Sequence, residues 1–198
     1  QYNTLYNNID LKNEGVFNGN CASSSIHKYS YFENKKLDKS IKSISFWHKI
    51  DYDHSLTINK PRIFTWSSSS GGTQSLSVNN TSKDGIYYLE INNSGIKKWV
   101  VNGNNITIDK QINEGTKVGE WTHHYLEIDS LLLDDNGFGW FNKSKQENNL
   151  YGSNSLLDEI RFFNKNLSTS DIQMLHLKKN IDMRDILIDN INTGNDTD

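Results

Sequence analysis

Residues 41–50 read IKSISFWHKI, and their alternation puts Ile44, Phe46, His48 and Ile50 on one side and Ser45, Trp47 and Lys49 on the other. A period of two marks a β-strand, and large apolar groups on both sides place that strand in the middle of a sandwich. Similar short runs follow at residues 61–66 (PRIFTW), 73–78, 85–91 (GIYYLEI), 97–101 (KKWVV), 105–108, 121–128 (WTHHYLEI), 138–141 and 156–163 (LLDEIRFF). Turn-forming clusters separate them: SSSSGG at 67–72, NNTSKDG at 79–85, NNSG at 92–95, NGNN at 102–105 and DDNG at 134–137. Asn-Gly and Asp-Gly pairs suit tight hairpins. Many short strands at this spacing predict an all-β sandwich or barrel.

One helix interrupts the pattern. Ser168 precedes Ile172, Leu175 and Leu177, and Asp171 stands three residues after it, the spacing of a capping box. Helix is therefore expected over about residues 168–178, with Lys178 and Lys179 suited to its C-terminal dipole. Beyond it, Ile181, Ile188 and Ile191 mark a second short helix or an interaction segment, before a polar tail. This divides the chain into a domain over 1–180 and an extension or linker over 181–198.

Composition narrows the functional classes. Hydrophobic residues make up 34%, but aromatics reach 11%, so large rings supply core area that the low aliphatic content does not. With 21 Lys and Arg against 24 Asp and Glu, the net charge is −3, without the basic excess that nucleic-acid binding requires. No run approaches the apolar length of a membrane span, and membrane insertion is not expected. Cys21 is the one cysteine, so no intrachain disulfide or cysteine-based zinc site forms. Asn makes up roughly one residue in seven, which leaves short glycosylation-like sequons without weight.

Four segments then resemble one family in a fixed order. GVFNGN at 15–20 is similar to an opening strand of the form aliphatic-Phe-Asp-Gly, and SISFWHKID at 43–51 to a strand "fTisfWvK". GEWTHHYLEID at 119–129 is similar to "g.WtHvaltyD", and LLDEIRFFNKNLSTSDIQML at 156–175 to a closing strand and helix, "iDEiRifnraLs..EI..ly". Together they resemble the concanavalin A-like, laminin-G-like jelly rolls over residues 15–177. A weaker likeness, in the Asn-rich style and the SFW strand, is to the jelly-roll subdomain of clostridial neurotoxin binding regions. The chain departs from the pattern at Asn18, where the family shows Asp, and at Lys143, where it shows Gly.

The resemblance implies a jelly-roll sandwich with a short C-terminal helix, and a family spanning carbohydrate-binding modules, adhesion domains, viral and toxin modules and some glycosidases. It also implies one structural calcium near Asn18 and Asp158. Glycosidases of this fold set their carboxylates at alternate positions on one strand, and Glu127-Ile128-Asp129 begins such a row. The chain continues Ser130-Leu131-Leu132 with no second Glu, so a catalytic role is not expected. His123 and His124 are adjacent, point to opposite faces of a strand and cannot share a metal; His123 is expected inside, its ring hydrogen-bonded.

Aromatic residues next to loops are the remaining lead, because sugars stack on Trp and Tyr while polar neighbours bond their hydroxyls. Trp66, Trp99 and Tyr87 are the candidate ligand contacts; Trp47, Trp121 and Phe162 are assigned to the core. The chain thus reads as a non-catalytic module binding a glycan or surface receptor, in an extracellular, cell-surface or virion setting. The alternative is an assembly module that meets protein neighbours through Ile181, Ile188 and Ile191.

Overall fold

The computed structural model describes residues 3–7, 9–24, 31–35, 40–50, 62–67, 73–79, 86–92, 96–106, 112–128, 138–141 and 155–177. Within them the chain forms two seven-stranded antiparallel sheets and one helix. The first sheet runs, edge to edge, β1 (Asn3–Asn7), β4 (Tyr31–Lys35), β13 (Phe138–Phe141), β6 (Arg62–Ser67), β7 (Thr73–Asn79), β8 (Ile86–Asn92) and β11 (Ile112–Lys117). The second runs β10 (Asn104–Ile106), β9 (Ile96–Val101), β12 (Trp121–Ile128), β5 (Ser43–Ile50), β14 (Ser155–Phe163), β3 (Cys21–Ser24) and β2 (Ile9–Lys12). Helix α1 covers Thr169–Leu177. The predicted all-β sandwich with one short helix is the observed architecture.

The IKSISFWHKI segment sits where its two-sided pattern places it. β5 pairs with β12 on one side and β14 on the other, and from Ser43 to His48 every residue is buried. Its Ile44, Phe46 and Ile50 meet Trp99, Val101, Leu126, Ile128 and Leu157 of the same sheet, and Ile63 and Trp140 of the first. Phe46 lies edge-on to Trp140 at 5.2 Å, tying the two sheets together. A fully buried side chain of this size contributes about 1.5–3 kcal/mol.

The other side of the second sheet is covered as well. Ile172 and Leu175 of α1, with Leu167 before it, close over Val100 and Tyr125. The predicted capping box holds the helix start: Asp171 N–H donates to Ser168 Oγ at 3.1 Å, and Ser168 N–H returns a bond to Asp171 Oδ2 at 3.2 Å. Those hydrogen bonds hold the Asp171 carboxyl below its usual range.

Two expectations are corrected here. GVFNGN is a turn, not an opening strand: Asn18 N–H reaches Gly15 O at 3.1 Å, Gly15 N–H reaches Gly19 O at 2.8 Å, and Asn18 takes a left-handed φ of 61°. A side chain at Gly15 would fall 2.6 Å from Gly19 O, so glycine is required there. Trp121 is half-buried rather than core, with Lys49 Nζ 5.7 Å from its ring centre, while Phe162 is partly buried against the core between the sheets. The expected division at residue 180 lies outside the described residues, as do Ile181, Ile188 and Ile191.

Candidate functional site

The strand WTHHYLEI carries two histidines into two different environments. His124 points between the sheets: it stacks on Phe46 at 5.0 Å, and its Nδ1 accepts a bond from Trp99 Nε1–H at 3.3 Å. His123 points outward beneath α1, beside Trp47 at 5.0 Å and His176 at 5.9 Å. Its Nε2 shares a 2.8 Å hydrogen bond with Ser45 Oγ. Burial, then the neighbouring His176 and Arg161, pulls the His123 pKa down to about 3, and burial holds His124 well below its ordinary value. Both rings are therefore neutral at physiological pH. The two rings pack the two sides of the second sheet.

Trp99 belongs to that interior. It is 0% exposed, and its indole N–H is spent on His124. The expectation that Trp99 offers a loop platform for a ligand is corrected: the turn after residue 91 is close in sequence, but Trp99 lies on the side of β9 that faces the core.

Trp66 and Tyr87 are placed by register. Trp140, fully buried, pairs with Phe64 of β6 and Phe32 of β4; Phe64 pairs with Leu76, and Leu76 with Ile91. Directly paired residues share a face, as do residues two apart along a strand, except across a bulge such as the one between Arg62 and Phe64 that lets Ile63 and Phe64 both occupy the inward side. Trp66, two residues beyond Phe64, and Tyr87, four before Ile91, thus occupy inward-face positions of the first sheet. Tyr88 occupies an outward one.

The outward positions of the first sheet have a different chemistry. One row across it is Glu33, Gly139, Thr65, Ser75 and Asn92; Ser77 pairs with Glu90, and Asn79 with Tyr88. Tyr31 and Phe141 pair on the same face. From Tyr31 on β4 to Tyr88 on β8 is four strand spacings, about 19 Å. By sequence these positions hold hydroxyl, amide and carboxylate residues, with Tyr31, Phe141 and Tyr88 at further positions of the same face. The helix among the described residues lies on the other sheet.

The expected calcium position brings its two segments together around Asp158. Val16 N–H donates to Asp158 Oδ2 and Glu159 N–H to Asp158 Oδ1, both at 2.8 Å, so the carboxylate clamps the Gly15–Gly19 turn onto the β14 bulge. Glu159 at that bulge takes a φ of 52°. Asn18 is exposed, and no group of three His, Cys, Asp or Glu side chains converges among the described residues.

Glu127, first of the alternate carboxylates, lies on the helix-covered side of the second sheet. Lys98 Nζ is 3.7 Å away, and the Tyr125 hydroxyl donates to its Oε1 at 3.4 Å. Asp129 lies outside the described residues. No described helix is long and apolar enough to cross a membrane.

No family model matches the chain, and no curated protein matches it. Among solved structures, it is similar to the crystal structure of a mutant of HCR/D, at 16% identity and a TM-score of 0.41, covering 89% of this chain and 46% of that one. The chain spans less than half the length of that protein, and a likeness at this level carries no argument about what is bound.

Proposed function

We propose that the chain is a non-catalytic recognition module, and that its ligand, a glycan or another cell-surface receptor, lies on the outward face of the first sheet. The carrying observation is the row Glu33, Thr65, Ser75 and Asn92 with Tyr31, Phe141 and Tyr88 on the same face. Sugar recognition needs that combination: hydrogen-bonding groups for the hydroxyls and an aromatic ring for the apolar face of the pyranose. In this reading Tyr88 and Tyr31 replace Tyr87, Trp66 and Trp99 as contacts. A ligand of this kind places the module at a cell or virion surface.

Glycan-array binding by the whole chain tests the reading. Tyr88→Ala should lower binding at least tenfold with the far-ultraviolet spectrum unchanged. A chain blind to glycans and to cell surfaces overturns it, and so does binding that survives Tyr88→Ala together with Tyr31→Ala. Glu127→Gln should leave binding intact, and glycan hydrolysis abolished by that change would replace the module with an enzyme.

A further inference from the structure

Helix α1 rests on the second sheet through two kinds of contact. Ile172 and Leu175, with Leu167 before them, pack on Val100 and Tyr125. In the last turn of the helix, His176 stacks on Trp47 at 5.7 Å and stands 5.9 Å from His123, ring centre to ring centre. The second contact is one that a proton can undo. His123 is buried, its Nε2 is engaged with Ser45 Oγ, and its Nδ1 has no hydrogen-bond partner among the described residues. The adjacent Trp47 Nε1–H has none there either. A second proton on His123 therefore puts a buried charge, and an N–H without an acceptor, under the helix.

The groups packed around that ring do not offset the charge. From α1 it faces His176, and from β14 Arg161, whose guanidinium is paired with Glu159. β5 sets Ser45 and Trp47 against it, and the Asn102 side chain accepts its backbone N–H. Lys49 is engaged with Glu14 and the Trp121 ring, and the Asp158 carboxylate with the amides of Val16 and Glu159. We propose that α1 is an acid-released cover: protonation at the His123–His176 contact lifts the helix off the second sheet while both sheets stay folded, and uncovers Trp47, Val100 and Tyr125.

The direction follows from linkage. Under the helix the His123 pKa is lowered to about 3, against an ordinary value of 6.5 once the ring meets water. Opening takes up a proton, so it becomes about tenfold more favourable for each pH unit below 6.5 and stops gaining near 3. His124 is held neutral too, but its ring lies between the sheets and is freed only by parting them. The nine-residue helix is the smaller unit to move. It lies on a different sheet from the proposed ligand face, so the two readings fail separately.

Amide hydrogen exchange on the whole chain at pH 7 and pH 5, corrected for intrinsic rates, tests the proposal. The α1 amides should open at least tenfold more often at pH 5, with the amides of β5 and β12 better protected than those of α1 at both values. His123→Gln, which takes up no proton, should cut that increase to threefold or less. His176→Gln, on the helix and outside the sandwich core, should at least halve it and serves even where the first variant fails to fold. A helix that exchanges together with β12 at both pH values overturns the proposal, and so does an α1 increase that either folded variant leaves whole.

Discussion

The two sides of β5 and β12 bury rings in equal measure but by different means. Between the sheets, Phe46, Trp99, His124 and Trp140 are held by material from both sheets, supplied by residues 46 to 140. On the other side, Trp47, His123 and Tyr125 are covered by short pieces: His176 stacks on Trp47 at 5.7 Å, Phe17 meets it edge-on at 6.0 Å, and Leu167 N–H bonds to the Tyr125 hydroxyl at 2.8 Å. The first layer is the sandwich. The second is a roof attached to it, resting on one nine-residue helix and one clamped turn. The difference teaches that a strand apolar on both sides signals two coverings without saying that they are equally strong.

The largest test removes Trp99. Trp99→Ala empties the inner layer and strips His124 of its donor, so a loss of about 4–5 kcal/mol and global unfolding by urea titration are expected. Trp47→Ala should cost about 3 kcal/mol. It should also speed tryptic cleavage after the exposed Lys165, because the roof loosens before the sandwich opens. If both variants lose the same amount in one cooperative step, the two layers are a single unit and the comparison fails.

Acid acts on both layers through their buried histidines. A histidine whose folded pKa is depressed binds its proton more readily in the unfolded chain, so stability falls as pH drops below the ordinary value of 6.5, and for His123 it keeps falling to about 3. Each such ring costs about 1.4 kcal/mol per pH unit, or about 2 kcal/mol between pH 7 and 5. Urea midpoints across that interval should slope downward in wild type, and His123→Gln should flatten part of the slope. An unchanged slope would show that His123 is not held neutral by the roof. The smallest expected effect is at the edge of the roof: Ser168→Ala removes the helix cap and should cost about 1 kcal/mol by thermal denaturation. A cost near zero there would mean that α1 is held by Ile172 and Leu175 alone.

The strongly alternating strands and the capped helix were legible in the sequence, because β5, β8, β12 and β14 carry their pattern in large apolar residues. Five strands were not. NTLYN, CASS and INEGTK are short and polar, β11 is broken by a register shift between Ile112 and Gly115, and β1, β2 and β11 include the sheet edges, where burial imposes little pattern. The candidate site was legible as residue types but not as faces. Tyr87 and Tyr88 are equivalent in the sequence; pairing through Leu76 and Ile91 assigns them to opposite-face positions of β8. The sequence shows Trp99 close to a turn-forming cluster, whereas its partner His124 lies 25 residues away. Asp158 was found by its place in the closing motif, but its acceptors' role toward Val16, 142 residues distant, is a property of the fold.

The place of β14 has a consequence for synthesis. It is the last strand described in the chain, yet it lies between β5 and β3, with β2 attached beyond. A ribosome releases β5 roughly 110 residues before β14, a wait of roughly 5–20 s at ordinary elongation rates. Through that interval one edge of β5, with Ile44 and Phe46, has no native neighbour, and the β2–β3 pair has no sheet to join. Assembly of the second sheet therefore runs backwards relative to translation: the first strands made are among the last to dock, and the emerging chain presents an unpaired apolar edge that a chaperone of extended segments would recognise.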